Sequence, residues 1–362
     1  MRKVLLLLVL IILAGVFTFN FAKQKVKNDF SSPIPYPTTT VTPTINVDQA
    51  KGPEKQSIFV PYWTIKDKGN DRVYDSYIYF GIVPTKEGID TKEQGAISLN
   101  SFLSTVPPGR KKLLAVRMIE RDTNFAILKD QNVQRKVIAE AISLAKEKKF
   151  DGVVLDLEIS AIPFESLVQQ INGFTQIFYQ EAKKNKLSFS LAVYGDVFYR
   201  VRPFDVKELA KNSDMIMVMA YDFSKSKGNP GPNFPLKGED IYGYDYAKLT
   251  EDFLSVVPPE KITVIFGLFG YDWIVDSKGR TLQQGEAKSA QEVEANFIED
   301  CKQRSCSFSR DSKAFEIQVN YVAKDGSKHI IWFEDMQSVE AKKEYLKSRG
   351  INSFSYWAHS YF

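Results

Sequence analysis

From Ser57 onward, strand-like runs alternate with helical stripes, and this alternation limits the chain to few folds. The runs at 57–63, 76–83, 112–118, 152–158, 187–194, 215–221, 261–267 and 351–357 have strand length and apolar or alternating character. Between the third and fourth, Val133, Val137, Ile138, Ala141, Ile142 and Ala145 recur at helical spacing. Residues 164–183, 206–211, 246–256 and 338–349 read as further helices. Parallel strands need crossover connections, usually helices. Eight such units predict an α/β fold, a (β/α)8 TIM barrel. The 362 residues hold one barrel of about 250 residues plus extras.

One interval is too long for a strand-to-helix loop. Residues 270–335 contain a predicted helix around 291–303 and two strand-like runs, 315–322 and 329–333. Asp325-Gly326 is a favoured hairpin turn between those runs. A small α+β insertion at about 274–335, after strand seven, is expected, either as a wall of a cleft or as a decorated loop. The two cysteines, Cys301 and Cys306, are close enough to bridge in an exported chain, or stay as free thiols. With only His329 and His359 beside them, no metal site of Cys and His is predicted. No Gly-x-Ser-x-Gly elbow is present, and no cofactor is expected.

Ahead of the barrel, Arg2 and Lys3 precede an uncharged apolar run from Val4 to Ala22. Residues 1–22 are a signal peptide or an N-terminal membrane anchor. Asn20-Phe21-Ala22 is a poor cleavage site, which favours the anchor; Lys23, Lys25 and Lys27 keep cleavage open. Residues 23–55, rich in Pro and Thr, cannot bury a core and read as an extended linker. The rest, 56–362, is expected outside the cytoplasm, anchored or secreted, as a monomer. A net charge of +4 with no basic stripe argues against nucleic acid as a partner.

The chemistry concentrates in Phe150-Asp151-Gly152-Val153-Val154-Leu155-Asp156-Leu157-Glu158. As a strand, it turns Val153, Leu155 and Leu157 to one face and Val154, Asp156 and Glu158 to the other. The second face changes from apolar to acidic toward its C-terminal end, where barrel active sites sit. This run resembles the Asp-Gly-x-Asp-x-Asp-x-Glu signature of glycoside hydrolase family 18, the chitinase-like TIM barrels, including branches acting on spore cortex and peptidoglycan. Asp151, Gly152, Asp156 and Glu158 match; Val154 stands where the family usually has Asp. Met217-Val218-Met219-Ala220-Tyr221-Asp222, Gly267 to Trp273 and Gly350 to Trp357 resemble the family's strands six, seven and eight, and Val60-Pro61-Tyr62-Trp63 strand one.

The resemblance implies retaining hydrolysis assisted by the substrate's own 2-acetamido group. Glu158 is then the general acid and base. Asp156 steadies the acetamido N–H and the oxazolinium, and Tyr221 orients the acetamido carbonyl. Trp357 floors the scissile sugar, with Tyr62, Met219 and Asp222 as further substrate contacts. The implied ligand is a polymer containing N-acetylglucosamine, and the tether and linker favour peptidoglycan over chitin. A non-catalytic carbohydrate-binding barrel is the rival, although such barrels typically lose the Glu. Two departures matter. Val154 cannot share a proton with Asp156, which predicts an ionised, isolated Asp156 and slow turnover. Arg117 stands where the family often has a small residue, and would pair with Asp156, bind an anionic substrate group, or point to solvent.

Overall fold

Fifteen strands follow one another in the computed structural model, which describes residues 52–362. The expected signal or anchor and the linker up to residue 51 lie outside the described residues. Among the described residues, no helix is long and apolar enough to cross a membrane. The first strands are Lys55–Pro61 (β1), Ser76–Ile82 (β2), and a two-residue ladder of Pro84–Thr85 (β3) with Gly88–Ile89 (β4). Lys111–Met118 (β5), Gly152–Leu157 (β6), Ser188–Tyr194 (β7), Met215–Ala220 (β8) and Ile262–Gly267 (β9) come next. Phe269–Val275 (β10), Glu286–Ser289 (β11), Arg304–Arg310 (β12), Ile317–Val322 (β13) and Lys328–Phe333 (β14) form a separate sheet. Ser353–Trp357 (β15) ends the series.

The barrel closes in the order β1-β15-β9-β8-β7-β6-β5-β2, all parallel. Strand alternation sorts the side chains. Val153, Leu155 and Leu157 join the core between sheet and helices, with Ile138, Ile171 and Phe174. Val154 packs inside the barrel with Phe59, Phe80, Ala115, Met217 and Ile265. The acidic end of β6 therefore points into the barrel mouth.

Outer helices form where their apolar stripes meet the strands. Helix Gln131–Glu147 buries Val137, Ile138, Ala141, Ile142 and Ala145, and Asp130 caps it through the N–H groups of Asn132 and Val133. Each large side chain so buried contributes about 1.5–3 kcal/mol. Helices Gln94–Thr105 and Arg121–Lys129 were not apparent in the sequence pattern. The first is built of Ser, Asn and Thr as much as of apolar residues, so its stripe is short.

The interval after β9 is an antiparallel sheet in the order β11-β10-β14-β13-β12. β13 and β14 are the hairpin turned by Asp325-Gly326, with Gly326 at φ 90°. The helix expected around 291–303 is shorter: one turn at Ala290–Val293, then a π turn at Glu294–Glu299. Cys301 and Cys306 are bonded, with Cα atoms 6.4 Å apart. A continuous helix would hold residues five apart at roughly 8–9 Å, beyond disulfide reach. Beneath this sheet, Lys342 of helix Met336–Ser348 is fully buried between Glu316 and Glu334, and ties the sheet to the barrel wall.

Candidate active site

Asp156 sits near the end of β6, in register with Arg117 on β5 and Ala192 on β7. Glu158 follows immediately. Its N–H donates to the Met118 carbonyl at 2.8 Å, and its carbonyl accepts from Asn124 Nδ2 at 3.1 Å. The backbone of the acid is thus fixed on both sides. Tyr194, at the end of β7, donates its hydroxyl to Glu158 Oε2 at 3.3 Å. The Arg202 guanidinium lies 3.8 Å above the Tyr194 ring and is held by Asp196.

Asp156 is 4% exposed, and its Oδ1 has no hydrogen-bond partner among the described residues. Burial pushes its pKa well above the usual carboxylate range. The charge of Glu158 adds to that, and Arg117 opposes it. The expectation of an ionised, isolated Asp156 is corrected here. Removing the acid at position 154 does not isolate it, because Glu158 supplies a like-charge neighbour and desolvation outweighs both. Glu158 is also raised, chiefly by burial. The Tyr194 hydrogen bond pulls it down, Asp222 raises it, and Lys225 and Arg202 lower it. Both carboxyls therefore hold a proton to higher pH than free carboxyls do, as a proton donor requires.

Tyr221 follows β8 with its ring 6.5 Å from Trp357 and 28° from parallel. Burial and the two acids hold its hydroxyl protonated. Gly267 makes room for it: a Cβ there would lie 2.6 Å from the Tyr221 Cβ. Asp222 is left-handed, at φ 58°, a conformation Asp tolerates better than most residues. Its N–H donates to Asn233 Oδ1 at 2.7 Å, and its Oδ1 accepts from the Tyr271 hydroxyl at 2.7 Å.

Asn233 was not singled out in the sequence. It is 3% exposed, and its Nδ2 donates to the carbonyls of Gly267 at 2.8 Å and Phe269 at 3.1 Å. Its own N–H donates to Glu316 Oε2. One amide thus joins the ends of β8 and β9 to the inserted sheet. Pro230, Pro232 and Pro235 signal a stiff loop around it but not where that loop goes.

Trp357 forms the floor of a cleft of about 760 Å³, packed edge-on against Phe80 at 4.7 Å and beside Phe59 at 5.6 Å. Asp156, Glu158, Met219, Tyr221 and Asp222 all line this cleft. Tyr62 does not, and Trp63 takes that place. Phe59 faces inward, so odd positions of β1 face the mouth and Tyr62 falls on the other parity. Tyr62 instead stands edge-on to Trp63, 5.0 Å away. Arg117 does not point out to solvent: it is largely buried, 9% exposed, with its guanidinium 4.7 Å from the Phe80 ring centre. It lines the cleft without an ion pair to Asp156. The inserted sheet supplies Tyr271 and Lys288, and the helical turn after it Glu292, as one wall. Among the described residues, no group of three or more His, Cys, Asp or Glu side chains is placed to hold a metal ion.

A cleft with an aromatic floor, two buried carboxyls and a buried phenol can hold a sugar face and deliver a proton. Comparison with known proteins agrees in fold. The chain is 26% identical over 246 residues to the cortical fragment-lytic enzyme of Bacillus anthracis, a match covering 65% of this chain and 52% of that protein. It thus spans about half the length of that relative. It is 23% identical over 260 residues to the di-N-acetylchitobiase of Mus musculus, covering 66% and 69%. The structure matches the spore cortex-lytic enzyme SleL of Bacillus cereus with a TM-score of 0.67 at 19% identity, covering 85% of this chain and 71% of that one. It matches the class V chitinase of Nicotiana tobaccum with a TM-score of 0.71 at 18% identity, covering 84% and 94%. The model of the glycosyl hydrolases family 18 matches residues 108–361, well over half the sequence, and the chain belongs to that family.

Proposed function

We propose that this protein hydrolyses β-1,4 bonds in polymers containing N-acetylglucosamine, with retention at the anomeric carbon and the substrate's 2-acetamido group as nucleophile. The observation that carries this reading is the meeting of Asp156, Glu158 and Tyr221 above Trp357 in one cleft. The sugar would lie on Trp357. Protonated Glu158 would donate to the glycosidic oxygen as the acetamido carbonyl oxygen attacks the anomeric carbon. Asp156 would accept from the acetamido N–H, and Tyr221 would donate to its carbonyl, holding it for attack. Glu158, now charged, would take a proton from the water that opens the oxazolinium. Chitin and peptidoglycan both contain the required sugar, and the relatives include chitinases and a cortical fragment-lytic enzyme. We place the activity outside the cytoplasm, on a monomer tethered by residues 1–22. Turnover is slow, because Val154 offers no second site for the Asp156 proton.

The test is Glu158→Gln, assayed on chitooligosaccharides and on purified peptidoglycan. Hydrolysis is expected to fall on the order of 10²–10⁴-fold with oligosaccharide binding kept. Undiminished turnover rejects Glu158 as the acid. A wild type that binds these glycans and cleaves none is a carbohydrate-binding barrel.

A further inference from the structure

Two residues past Glu158, Ser160 lines a second groove of about 650 Å³, whose Arg202 stacks over Tyr194, the hydrogen-bond donor to Glu158. Its walls come from the loops after β7 and β8. Four cationic side chains line it: Arg200, Arg202, Lys225 and Lys227. One carboxylate, Asp196, answers the two arginines. Among the described residues, neither Lys225 nor Lys227 has an ion-pair partner within 4.0 Å. Both are exposed, so they are free to meet a ligand. Asp222, next to Phe223 of this groove but lining the active-site cleft, is pushed toward its neutral form by burial.

The charges divide along the cleft. Arg117 stands in register with Asp156, whereas Arg202 stacks over Tyr194, which bonds Glu158. The general acid stands between the sugar that becomes the new reducing end and the sugar that leaves. The cationic groove therefore lies under the leaving part of the chain. A neutral N-acetylglucosamine polymer gives two unpaired ammonium groups no charged partner. A polymer bearing a carboxylate on alternate sugars does, because an ionised acceptor roughly doubles the strength of such a hydrogen bond.

We propose that this groove is a leaving-group subsite for a sugar that carries a carboxylate, with Lys225 and Lys227 as the groups that recognise it. The inference rests on the proposed hydrolysis. The carboxylate has two possible sources: a 3-O-lactyl acid on the sugar itself, or the free acid of a peptide attached to it.

The test compares oligomers of alternating N-acetylglucosamine and its 3-O-lactyl ether, as free acids and as methyl esters, at low salt. The wild-type protein is expected to cleave the acid with a kcat/KM about ten-fold or more above the ester. In Lys225→Gln/Lys227→Gln that ratio falls toward one, and raising the salt does the same. A third oligomer, with the lactyl group amide-linked to alanine, is compared with its alaninamide. Preference for the alanine acid assigns the peptide carboxylate; preference only for the free lactyl acid assigns the sugar's own. A wild-type ratio of one in both pairs, or a ratio unmoved by the double substitution, overturns the proposal. If neither acid nor ester is cleaved, the hydrolase reading fails by itself. The same comparison is then made as Kd on Glu158→Gln, where a preference for the acid that the two lysine substitutions abolish upholds the groove and its absence overturns it.

Discussion

Glu158 owes its chemistry to competing neighbours, and Tyr194 is the one that can be removed most cleanly. Its hydroxyl donates to Glu158 and so favours the charged form. Hydrolysis needs Glu158 protonated, so activity is lost as pH rises through its pKa. Tyr194→Phe keeps the ring over which Arg202 stacks and removes only the donor. The Glu158 pKa then rises further, and the alkaline limb of the kcat/KM profile is expected to move to higher pH. A limb that stays or moves down excludes Tyr194 from this role. At this scale the sequence was legible where alternation could be anchored. The polarity change from Val154 to Asp156 and Glu158 identified the inward face of β6 from residue types alone. Tyr62 and Trp63 could not be told apart in that way. Both are aromatic, and a one-residue difference in parity exchanges faces. The upward shift of the Asp156 pKa was also out of reach, because desolvation depends on what surrounds the barrel mouth and not on position 154.

At the scale of elements, the catalytic face depends on how closely β8 and β9 approach at their ends. Gly267 is the contact point. A methyl group there would stand 2.6 Å from the Tyr221 Cβ and 2.7 Å from Phe269 Cε1, so one of the two rings must move. Among the described residues the Tyr221 hydroxyl has no hydrogen-bond partner, whereas the Phe269 carbonyl is bound by Asn233. Gly267→Ala is therefore expected to shift Tyr221, with kcat falling about 10²-fold for a displacement near 1 Å. The stability cost is about 1–3 kcal/mol. Wild-type kcat in a folded variant, with folding checked by thermal melting, defeats this account. The barrel strands were legible because each is a short apolar run bounded by turns. β11 and β12 were not: Glu286–Ser289 is polar and Arg304–Arg310 mostly exposed, so neither carries a buried period. They are strands because β10 and β13 offer edges for pairing.

At the scale of the molecule, barrel and inserted sheet share one buried charge cluster. Glu316 accepts from the N–H groups of Asn233 and Phe234 and from Lys342, while Lys342 also reaches Glu334. The sequence places Lys342 on a helix but gives no reason to bury it, since lysine is almost never buried unless paired. Its partners lie in the insertion, and no local pattern announces that contact. Two carboxylates face one ammonium, and burial raises the Glu334 pKa to about 8, with Glu316 adding to the rise and Lys342 opposing it. The unfolded value is 4.5, so between these limits the folded chain holds a proton that the unfolded chain has lost. Stability from this group is fully present below pH 4.5 and is lost as pH rises through about 8. The loss is on the order of a few kcal/mol. Glu334→Gln fixes the neutral form. Its Oε1 can still accept from Ser338 and Lys342, and its Nε2 replaces an oxygen that has no partner in the wild type. Urea melts at pH 5, 6, 7 and 8 are expected to show wild-type stability falling relative to the variant as pH rises. Parallel curves across that range would place the proton elsewhere in the cluster.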